Sequence, residues 1–575
     1  MPSMLQSLCR KRDVEFVKST RLRKYRTLVK SLLVGFADKT SDQHNILYKD
    51  NVEVAYVGSA RANVGETPDK SSKSINSENG ARCYLYMARC TRAPSRCRSP
   101  TPEQVTMCQS LKTKVPGQVF LSNEATYSDL NNQRWSNTSI LAPGCVFQPK
   151  TVGDVSKGVK LLSTNSCPFS IKSGGHNPIP GANNIDGGVS IVLGALNQAE
   201  LAPDGTTVRL GAGARWGQVY KAFADKGLLV PGGLCGGTGI GGVSTGGGES
   251  YLLASHGWVV DNVVNYQVVL ASGAIVDANQ KSNSALFKAL KGGGNNFGVV
   301  TQVDVTAIKQ PKIWGGSILL PYFPDSAIAS LNAIVNFTTL SNTLPNNGAQ
   351  VVITYTATGQ ALIALSLAST DGTVNSTGLA PLTSLQPQIA NTMGLRTIGD
   401  IVTELDANQA DGFRDTSATI TFKNDAATLF AVHNASDQVY LKYNKTVKYL
   451  DWVNFYVPTA RIDSTHAAAQ GGNVLGLEEN PEDLIVAFIT PRWIDAAQDA
   501  AMYEMAREWV DAVSKAAGAN RHRFLYQNFA APSQKPLCGY GAKNVEFMKD
   551  VSRRYDPSQT FQKLVPGGFK ISKAC

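Results

Sequence analysis

Two side chains in this sequence, His176 and Cys235, carry nucleophilic atoms within glycine-rich segments. His176 ends the run Lys172-Ser-Gly-Gly-His176. Cys235 belongs to a second stretch, residues 233–248, in which nine of sixteen residues are glycine. Imidazole and thiolate groups both form covalent bonds with electrophiles, and glycine lets another molecule approach backbone N–H groups closely. The two segments therefore predict a site for a large, flat, phosphate-bearing cofactor.

The glycine density also bears on local structure. Each glycine in a helix costs roughly 1 kcal/mol relative to alanine, so we expect residues 233–248 to contain no regular helix. Gly237 to Gly242 satisfies the pattern Gly-x-Gly-x-x-Gly, and Asp261 follows at about the distance where a dinucleotide fold places its acidic residue. That fold also needs a preceding strand and a helix opening at the motif. More glycines follow instead, which argues against a Rossmann fold.

Short helices and strands alternate around these segments. In the first half, the spacing of apolar residues predicts helices at 152–162, 216–223 and 283–291, and strands at 169–172, 189–193, 207–210 and 299–308, with a hairpin across 265–276. After residue 314 we predict strands at 351–355 and 361–365, a long helix at 494–517 and a tail helix at 544–555. This mixture predicts an α+β protein.

Length, composition and charge limit the classes of protein to which this chain can belong. The chain has 575 residues, enough for a sizeable core and two domains. No run of 18 apolar residues occurs, which argues against a membrane-spanning helix. The net charge is +11, but residues 1–100 hold 19 Lys and Arg against nine Asp and Glu, so the remainder is nearly neutral. We therefore interpret residues 1–104 as a basic leader, disordered or spurious, and we assign no metal to its evenly spaced cysteines at 83, 90 and 97.

Two features beyond residue 100 indicate the secretory pathway or the extracellular space. Cys108 and Cys145 flank the start of the first folded segment and are placed to pair as a disulfide. Five glycosylation sequons follow, at Asn137, Asn336, Asn375, Asn434 and Asn444. The leader contains no recognisable signal peptide. We therefore expect either that the true amino terminus lies near residue 100 or that the leader is misassigned.

Over about residues 105–575 the sequence resembles the berberine-bridge-enzyme-like oxidoreductases of the vanillyl-alcohol oxidase superfamily, and fungal members most. Several blocks in the right order carry the resemblance, and together they are far more specific than any one: residues 172–176, the glycine stretch running on to 256–263, residues 290–301, and the tail blocks 526–529, 555–557 and 561–569. The resemblance implies an FAD-binding domain in two parts, residues 105–312 and 524–575. An α+β substrate domain, an antiparallel sheet plus helices, is expected between them at residues 313–523.

The resemblance also implies how FAD is held. His176 falls where the family bonds a histidine to the flavin 8α carbon, and Cys235 falls where bicovalent members bond a cysteine to flavin C6. Lys172 replaces the usual arginine and keeps a cation near the pyrophosphate. The remaining cofactor contacts expected from the matched motifs are Ser173, Gly174, Gly175, Asn177, Gly239, Gly241, Gly242, Asp261, Asn262 and Asn528.

The chain departs from the family pattern at the catalytic base. Many relatives that oxidise alcohols or sugars carry Tyr-x-Asn-Tyr, whereas this sequence has Tyr526-Gln-Asn-Phe529, and Phe529 lacks the hydroxyl that takes a proton. Tyr526 points to the opposite face if this segment is a strand. Tyr456 is a weak candidate from the substrate domain, and a packed aromatic is the simpler interpretation.

These observations favour an FAD-dependent enzyme that moves hydride from a small organic substrate, such as a secondary metabolite, to flavin N5, with oxygen as the electron acceptor. A sugar oxidase is the first alternative, although Phe529 argues mildly against it. A flavin-binding protein without turnover is the second. A nucleic-acid partner for the basic leader is the weakest.

Overall fold

The computed structural model describes residues 102–575 apart from 408–409. The predicted leader, with its basic clusters and its three cysteines, lies outside the described residues. The α-helices are Pro102–Lys114, Ala125–Asn132, Val152–Thr164, Trp216–Ala224, Ile240–Gly246, Leu253–His256, Ser284–Gly293, Pro324–Leu340, Ala380–Thr383, Ile398–Asp406, Ala426–Tyr443, Asp499–Ala517, Pro536–Gly539, Ala542–Tyr555 and Thr560–Lys563.

The described part of the chain also contains twenty-two strands. They are β1 Val119–Leu121, β2 Cys145–Phe147, β3 Phe169–Lys172, β4 Val189–Val192, β5 Ala199–Leu201, β6 Thr207–Gly211, β7 Leu228–Leu229, β8 Val263–Val269, β9 Ile275–Asn279, β10 Val299–Thr306, β11 Ile308–Lys309, β12 Ile313–Pro321, β13 Asn347–Tyr355, β14 Ala361–Ser369, β15 Ala390–Asn391, β16 Gly394–Arg396, β17 Arg414–Asp415, β18 Ala418–Lys423, β19 Trp452–Thr459, β20 Leu484–Ile489, β21 Arg492–Trp493 and β22 Arg521–His522.

Three larger sheets organise these strands. The first has the order β1-β2-β4-β3, with β2, β4 and β3 parallel. The second is antiparallel, in the order β5-β6-β10-β8-β9. The third is a nine-stranded antiparallel sheet, β15-β12-β14-β13-β19-β20-β18-β22, in which β16 also pairs with β12. The α+β class is therefore confirmed, as is an antiparallel sheet with helices after residue 312. The exact domain bounds stay predictions.

Apolar spacing explains why the predicted helices form where they do. In Trp216–Ala224, residues Trp216, Val219 and Phe223 share one face and are fully buried. Thr151 caps Val152–Thr164 because its side chain accepts a hydrogen bond from the backbone N–H of Asp154. Local sequence and burial agree at these elements, so their positions were predictable.

The nine-stranded sheet has two different faces because side chains alternate along a strand. On β13, Val351, Ile353 and Tyr355 pack into a core shared with the helices that follow residue 323. Gln350 and Val352 point the opposite way, toward the first two sheets. Several residues on that second face, including Val457, Val486 and Phe488, belong to the core that contains those two sheets. The second face therefore covers the glycine-rich segments.

The expectation that the glycine stretch contains no helix is wrong. Ile240–Gly246 is an α-helix, and its Ile240, Ser244 and Thr245 side chains are buried. The helix packs against β10 and against the helix Ser284–Gly293. Tertiary packing supplies most helical stability in proteins, and here it outweighs the glycine cost. The following glycines adopt positive φ angles of 121° at Gly247 and 77° at Gly248, which end the helix.

Two other boundaries also differ from prediction. The long helix begins at Asp499 rather than at residue 494, because Asp495 caps a short 3-10 turn over Ala496–Gln498. Gln527–Phe529 is also a 3-10 turn and not a strand. The rings of Tyr526 and Phe529 consequently lie 5.6 Å apart instead of on opposite faces.

Disulfides close both ends of the described region. The predicted Cys108–Cys145 bond is confirmed, and a second bond, Cys538–Cys575, was not predicted. Within residues 102–575, leaving out 408–409, no helix combines the length and apolar character needed to cross a bilayer.

Candidate functional site

The two glycine segments pack directly against each other. Ser173 Oγ donates a hydrogen bond to the carbonyl of Ala212 at 2.5 Å and accepts one from Gly241 N–H at 3.2 Å. A β-carbon placed on Gly174 would overlap the backbone of Gly239, and the reverse substitution would overlap Gly174. Only glycine permits this approach, so the glycines predicted for cofactor binding first join the two segments.

This contact brings the two predicted attachment residues together. His176 Nε2 lies 3.5 Å from Cys235 Sγ. The imidazole is stacked on the indole of Trp135, with ring centroids 4.6 Å apart and planes inclined by 6°. A cavity of about 720 Å³ opens beside both side chains and is lined on its other walls by Arg215 and Asp406, among others. That volume is typical of a cavity that holds a small-molecule ligand.

Burial keeps both nucleophiles neutral. Burial, with the nearby charges of Arg215 and Arg492, lowers the pKa of His176 to about 3. Its imidazole therefore has a lone pair available at neutral pH. Burial, with the charge of Asp406, raises the pKa of the Cys235 thiol to about 12. The thiol accordingly keeps its proton unless a base removes it.

Two buried cationic side chains lie at or beside the segment of residues 172–176. Arg134 and Lys172 are 5% and 2% exposed, and within the described part of the chain neither pairs with a carboxylate. Lys172 Nζ donates to the carbonyl of Leu130, and Arg134 Nε donates to Asn183 Oδ1. Burial, together with the charges of Arg134 and Arg215, lowers the pKa of Lys172 to about 7. A diphosphate would neutralise this surplus, so the residues present fit the anionic part of FAD.

At Gly242, the helix Ile240–Gly246 presents a surface that no residue in the described part of the chain covers. A β-carbon on Gly242 would find no heavy atom within 4 Å. By contrast, a β-carbon on Gly246 at the other end of the helix would overlap Asn528 Oδ1. The start of the helix therefore borders open space beside the His176 segment, which suits a flat cofactor. FAD fits this site in shape, charge and available nucleophiles.

Three predicted cofactor contacts are engaged with the protein itself. Asn177 Oδ1 accepts from Ile179 N–H at 2.9 Å. Asp261 accepts from Trp258 N–H at 3.0 Å and from Asn473 Nδ2 at 2.8 Å, and burial raises its pKa to about 6. Asn262 donates to the carbonyls of His256 and Trp258. These side chains shape the segments around the site, and their contact with FAD stays a prediction, as do the roles of Gly175 and the other glycines.

Tyr526 and Asn528 lie at the C-terminal end of the glycine-rich helix. The oxygen of Tyr526 accepts hydrogen bonds from Glu249 N–H at 3.0 Å and from Asn528 Nδ2 at 3.4 Å. Burial and the charge of Glu249 raise the pKa of Tyr526 above its ordinary value. Tyr526 is thus adjacent to the site, as a neutral phenol.

Tyr456 lies elsewhere. It is on the helix-covered face of the nine-stranded sheet, 1% exposed, with its hydroxyl 2.9 Å from His433 Nδ1. This position supports the simpler interpretation of a packed aromatic. Its neighbour Phe455 occupies the face toward the glycine segments.

Sequence reasoning missed four residues of the site, and three of them carried no motif. Trp135 and Arg215 come from loops, and Asp406 comes from the substrate-domain side of the chain. Glu249 did carry a signal, because it is an acid directly after a run of glycines. In the structure it is 9% exposed and accepts a hydrogen bond from Gln350 Nε2 at 2.5 Å.

Comparisons with known proteins agree with this geometry. The model of a family described as an FAD binding domain matches residues 143–279. The FAD-dependent monooxygenase tpcD of Cochliobolus heterostrophus is 34% identical over 451 residues, which cover 75% of this chain and 85% of the relative. The chain belongs to the berberine-bridge-enzyme-like FAD-linked oxidoreductases.

Solved structures of other oxidases share this fold. 6-Hydroxy-D-nicotine oxidase from Arthrobacter nicotinovorans superposes with a TM-score of 0.65 at 21% identity, covering 78% of this chain and 96% of that one. Glucooligosaccharide oxidase from Acremonium strictum, described with a 6-S-cysteinyl, 8α-N1-histidyl FAD, gives a TM-score of 0.64 at 16% identity, covering 79% and 97%. Because the FAD binding domain model matches and the tpcD relative is FAD-dependent, FAD is the cofactor of this FAD-linked oxidoreductase.

Proposed function

We propose that this FAD-linked oxidoreductase oxidises a small, largely apolar organic substrate, with oxygen as the electron acceptor. When bound, FAD supplies the hydride acceptor for such a reaction. The chain supplies the cavity, the attachment residues and the wall against which the substrate lies. The composition of that wall is the observation that carries the proposal.

The wall is one row of side chains on the second face of the nine-stranded sheet. Strand pairing places six side chains in one row across this face: Leu319, Ala364, Val352, Phe455, Phe488 and Thr419. The first four are only half-buried. Five of the six are apolar, so the row offers almost no hydrogen-bonding side chain.

Aromatic rings extend this wall toward the glycine segments. Phe455 stacks on Phe488 at 4.5 Å between ring centroids, and Phe488 stacks on Phe529 at 3.9 Å. Phe529 is half-buried and follows Asn528, which contacts the glycine-rich helix. The row and the stack therefore form one continuous apolar surface that ends beside the site.

This surface favours an apolar ring system over a sugar. Aromatic faces bind planar apolar groups by stacking, whereas a site specific for hydroxyl groups needs placed polar partners. Gln350 and Ser366 lie in the adjacent row of this face, and both side chains are already hydrogen-bonded within the protein, Gln350 to Glu249 and Ser366 to Tyr251. A sugar oxidase is therefore the weaker alternative, despite the fold shared with glucooligosaccharide oxidase.

We further propose that the flavin is covalently attached, through His176 to its 8α carbon and through Cys235 to C6. The 3.5 Å separation of Nε2 and Sγ supports two bonds to one ring system. The linkages named for glucooligosaccharide oxidase are of the same two types.

Anaerobic mixing of the purified protein with candidate substrates tests the function. Aromatic and polycyclic alcohols should bleach the flavin absorbance, and readmitted oxygen should restore it with one hydrogen peroxide per turnover. Rapid bleaching by cellobiose or xylobiose would instead favour the sugar oxidase. A yellow protein that no substrate bleaches would favour flavin binding without turnover.

Adjacent variants on the two sheet faces test the wall itself. Phe455→Ala removes a ring from the substrate side and should raise KM for an aromatic substrate about tenfold, the loss expected for one stacking contact. Tyr456→Phe changes the opposite face and should leave KM unchanged. Equal KM effects in both variants would contradict the assignment of the wall.

A further inference from the structure

Asp406 links a helix of the predicted substrate domain to the cysteine segment beside the cavity. It is the last residue of the helix Ile398–Asp406, and its Oδ1 accepts a hydrogen bond from the Cys235 thiol at 3.2 Å. The same oxygen accepts from Gly236 N–H at 2.9 Å. This backbone contact helps to hold the carboxylate beside the sulfur.

The helix that carries Asp406 is firmly placed. Thr397 and Asp400 form a capping box at its start, and Ile401 and Val402 are buried. It packs on Trp216–Ala224, the helix that precedes the cysteine segment. The carboxylate position is therefore set by a packed element.

The thiol needs a proton acceptor before it can react. Thiolate is the nucleophilic form of cysteine, and the raised pKa of Cys235 keeps that form rare at neutral pH. His176 Nε2 is also near the sulfur, but its lowered pKa makes it a weak base. The carboxylate of Asp406 is the closer acceptor, because its Oδ1 lies 3.2 Å from the sulfur whereas His176 Nε2 lies 3.5 Å from it.

We propose that Asp406 accepts the thiol proton of Cys235 while the sulfur bonds to flavin C6. The S–H and C6–H bonds break and one S–C6 bond forms. The two electrons released pass to molecular oxygen, which leaves with both protons as hydrogen peroxide. This inference rests on the covalent flavin proposed above. It gives Asp406 a role in attaching the flavin rather than in oxidising the substrate.

Peptide mass spectrometry of the flavin-loaded full chain tests the assignment. The wild type should carry flavin that joins the His176 and Cys235 peptides. Asp406→Asn has the same shape and keeps an oxygen for Gly236 N–H, yet it should reduce the cysteine linkage at least tenfold and leave the histidine linkage. Cys235→Ser should give the same pattern. Asp411→Asn, a matched charge change on the same cavity wall, should keep both linkages.

Several outcomes would overturn the role of Asp406. Full or faster cysteine linkage in Asp406→Asn would show that the carboxylate only holds the thiol protonated. A wild type linked solely through His176 would also overturn it, while leaving FAD binding intact. Wild-type protein that contains no flavin would contradict the proposed function itself. Asp406→Glu keeps a carboxylate and should retain the linkage, which controls for misfolding, and unfolding midpoints check every variant.

Discussion

His176 and Cys235 are 59 positions apart in the sequence, yet Nε2 and Sγ lie 3.5 Å apart. Each residue alone has an ordinary explanation, as a structural histidine or a buried small hydrophobe. Their juxtaposition at one cavity, with both side chains neutral and the buried cations Arg134 and Lys172 nearby, supports the proposal that the two share a role in holding FAD. For a single side chain, burial and neighbouring charges set the protonation state and therefore the reactivity.

Glu249 provides a test of that principle. Burial raises its pKa from 4.5 to about 7. Between these values the folded state binds more protons than the unfolded state, so stability falls as pH rises through this window. Glu249→Gln cannot ionise. Its free energy of unfolding relative to wild type should therefore rise by about 3 kcal/mol between pH 4.5 and pH 8.

Denaturant unfolding of both proteins at the two pH values measures this difference. Glu508→Gln is the control, because hydrogen bonding to Lys442 lowers the pKa of Glu508. That variant should show no gain at high pH. An equal gain in both variants would mean that burial at Glu249 does not carry the effect.

At the scale of elements, two glycines of the helix Ile240–Gly246 have different surroundings. Gly246 faces Asn528, where a side chain would overlap the amide, whereas Gly242 faces open space. Gly246→Ala should destabilise the fold by about 1–3 kcal/mol through overpacking. Gly242→Ala should leave stability equal or raise it by about 0.5–1 kcal/mol, and it should lower flavin content because the added methyl group occupies the cofactor's side.

Thermal unfolding and the ratio of flavin to protein absorbance measure the two effects separately. Full flavin content in Gly242→Ala would show that this end of the helix does not face the cofactor. Unchanged stability in Gly246→Ala would show that Asn528 moves aside at little cost.

At the scale of the whole molecule, we propose that the protein folds in an oxidising compartment. Two disulfides close the described region, and such bonds are typical of secreted proteins. Asn336, Asn375, Asn434 and Asn444 are exposed. Asn137 differs, because it borders the cavity and its Nδ2 donates to the carbonyl of Gly412 at 2.6 Å.

Site mapping of glycans on protein secreted from a eukaryotic host tests this proposal. Glycans should be found on the four exposed asparagines, and enzymatic removal should lower the mass of the intact chain. Asn137 should be unmodified. A chain without any glycan, or one modified first at Asn137, would contradict the proposal.

The sequence by itself determined much of this protein. Apolar spacing located Trp216–Ala224 and Val152–Thr164, and spaced motifs identified the family, the cofactor and both candidate attachment residues. These features are local, because each depends on residue type and short-range periodicity.

Tertiary structure decided the rest. The helix Ile240–Gly246 forms against its own propensity because packing stabilises it. Asp406 contacts Cys235 from 171 positions away in the sequence. Phe455 and Tyr456 are neighbours in the chain, and only the register of the nine-stranded sheet shows which of them faces the glycine segments. Contacts between distant segments depend on chain topology, which no short stretch of sequence encodes.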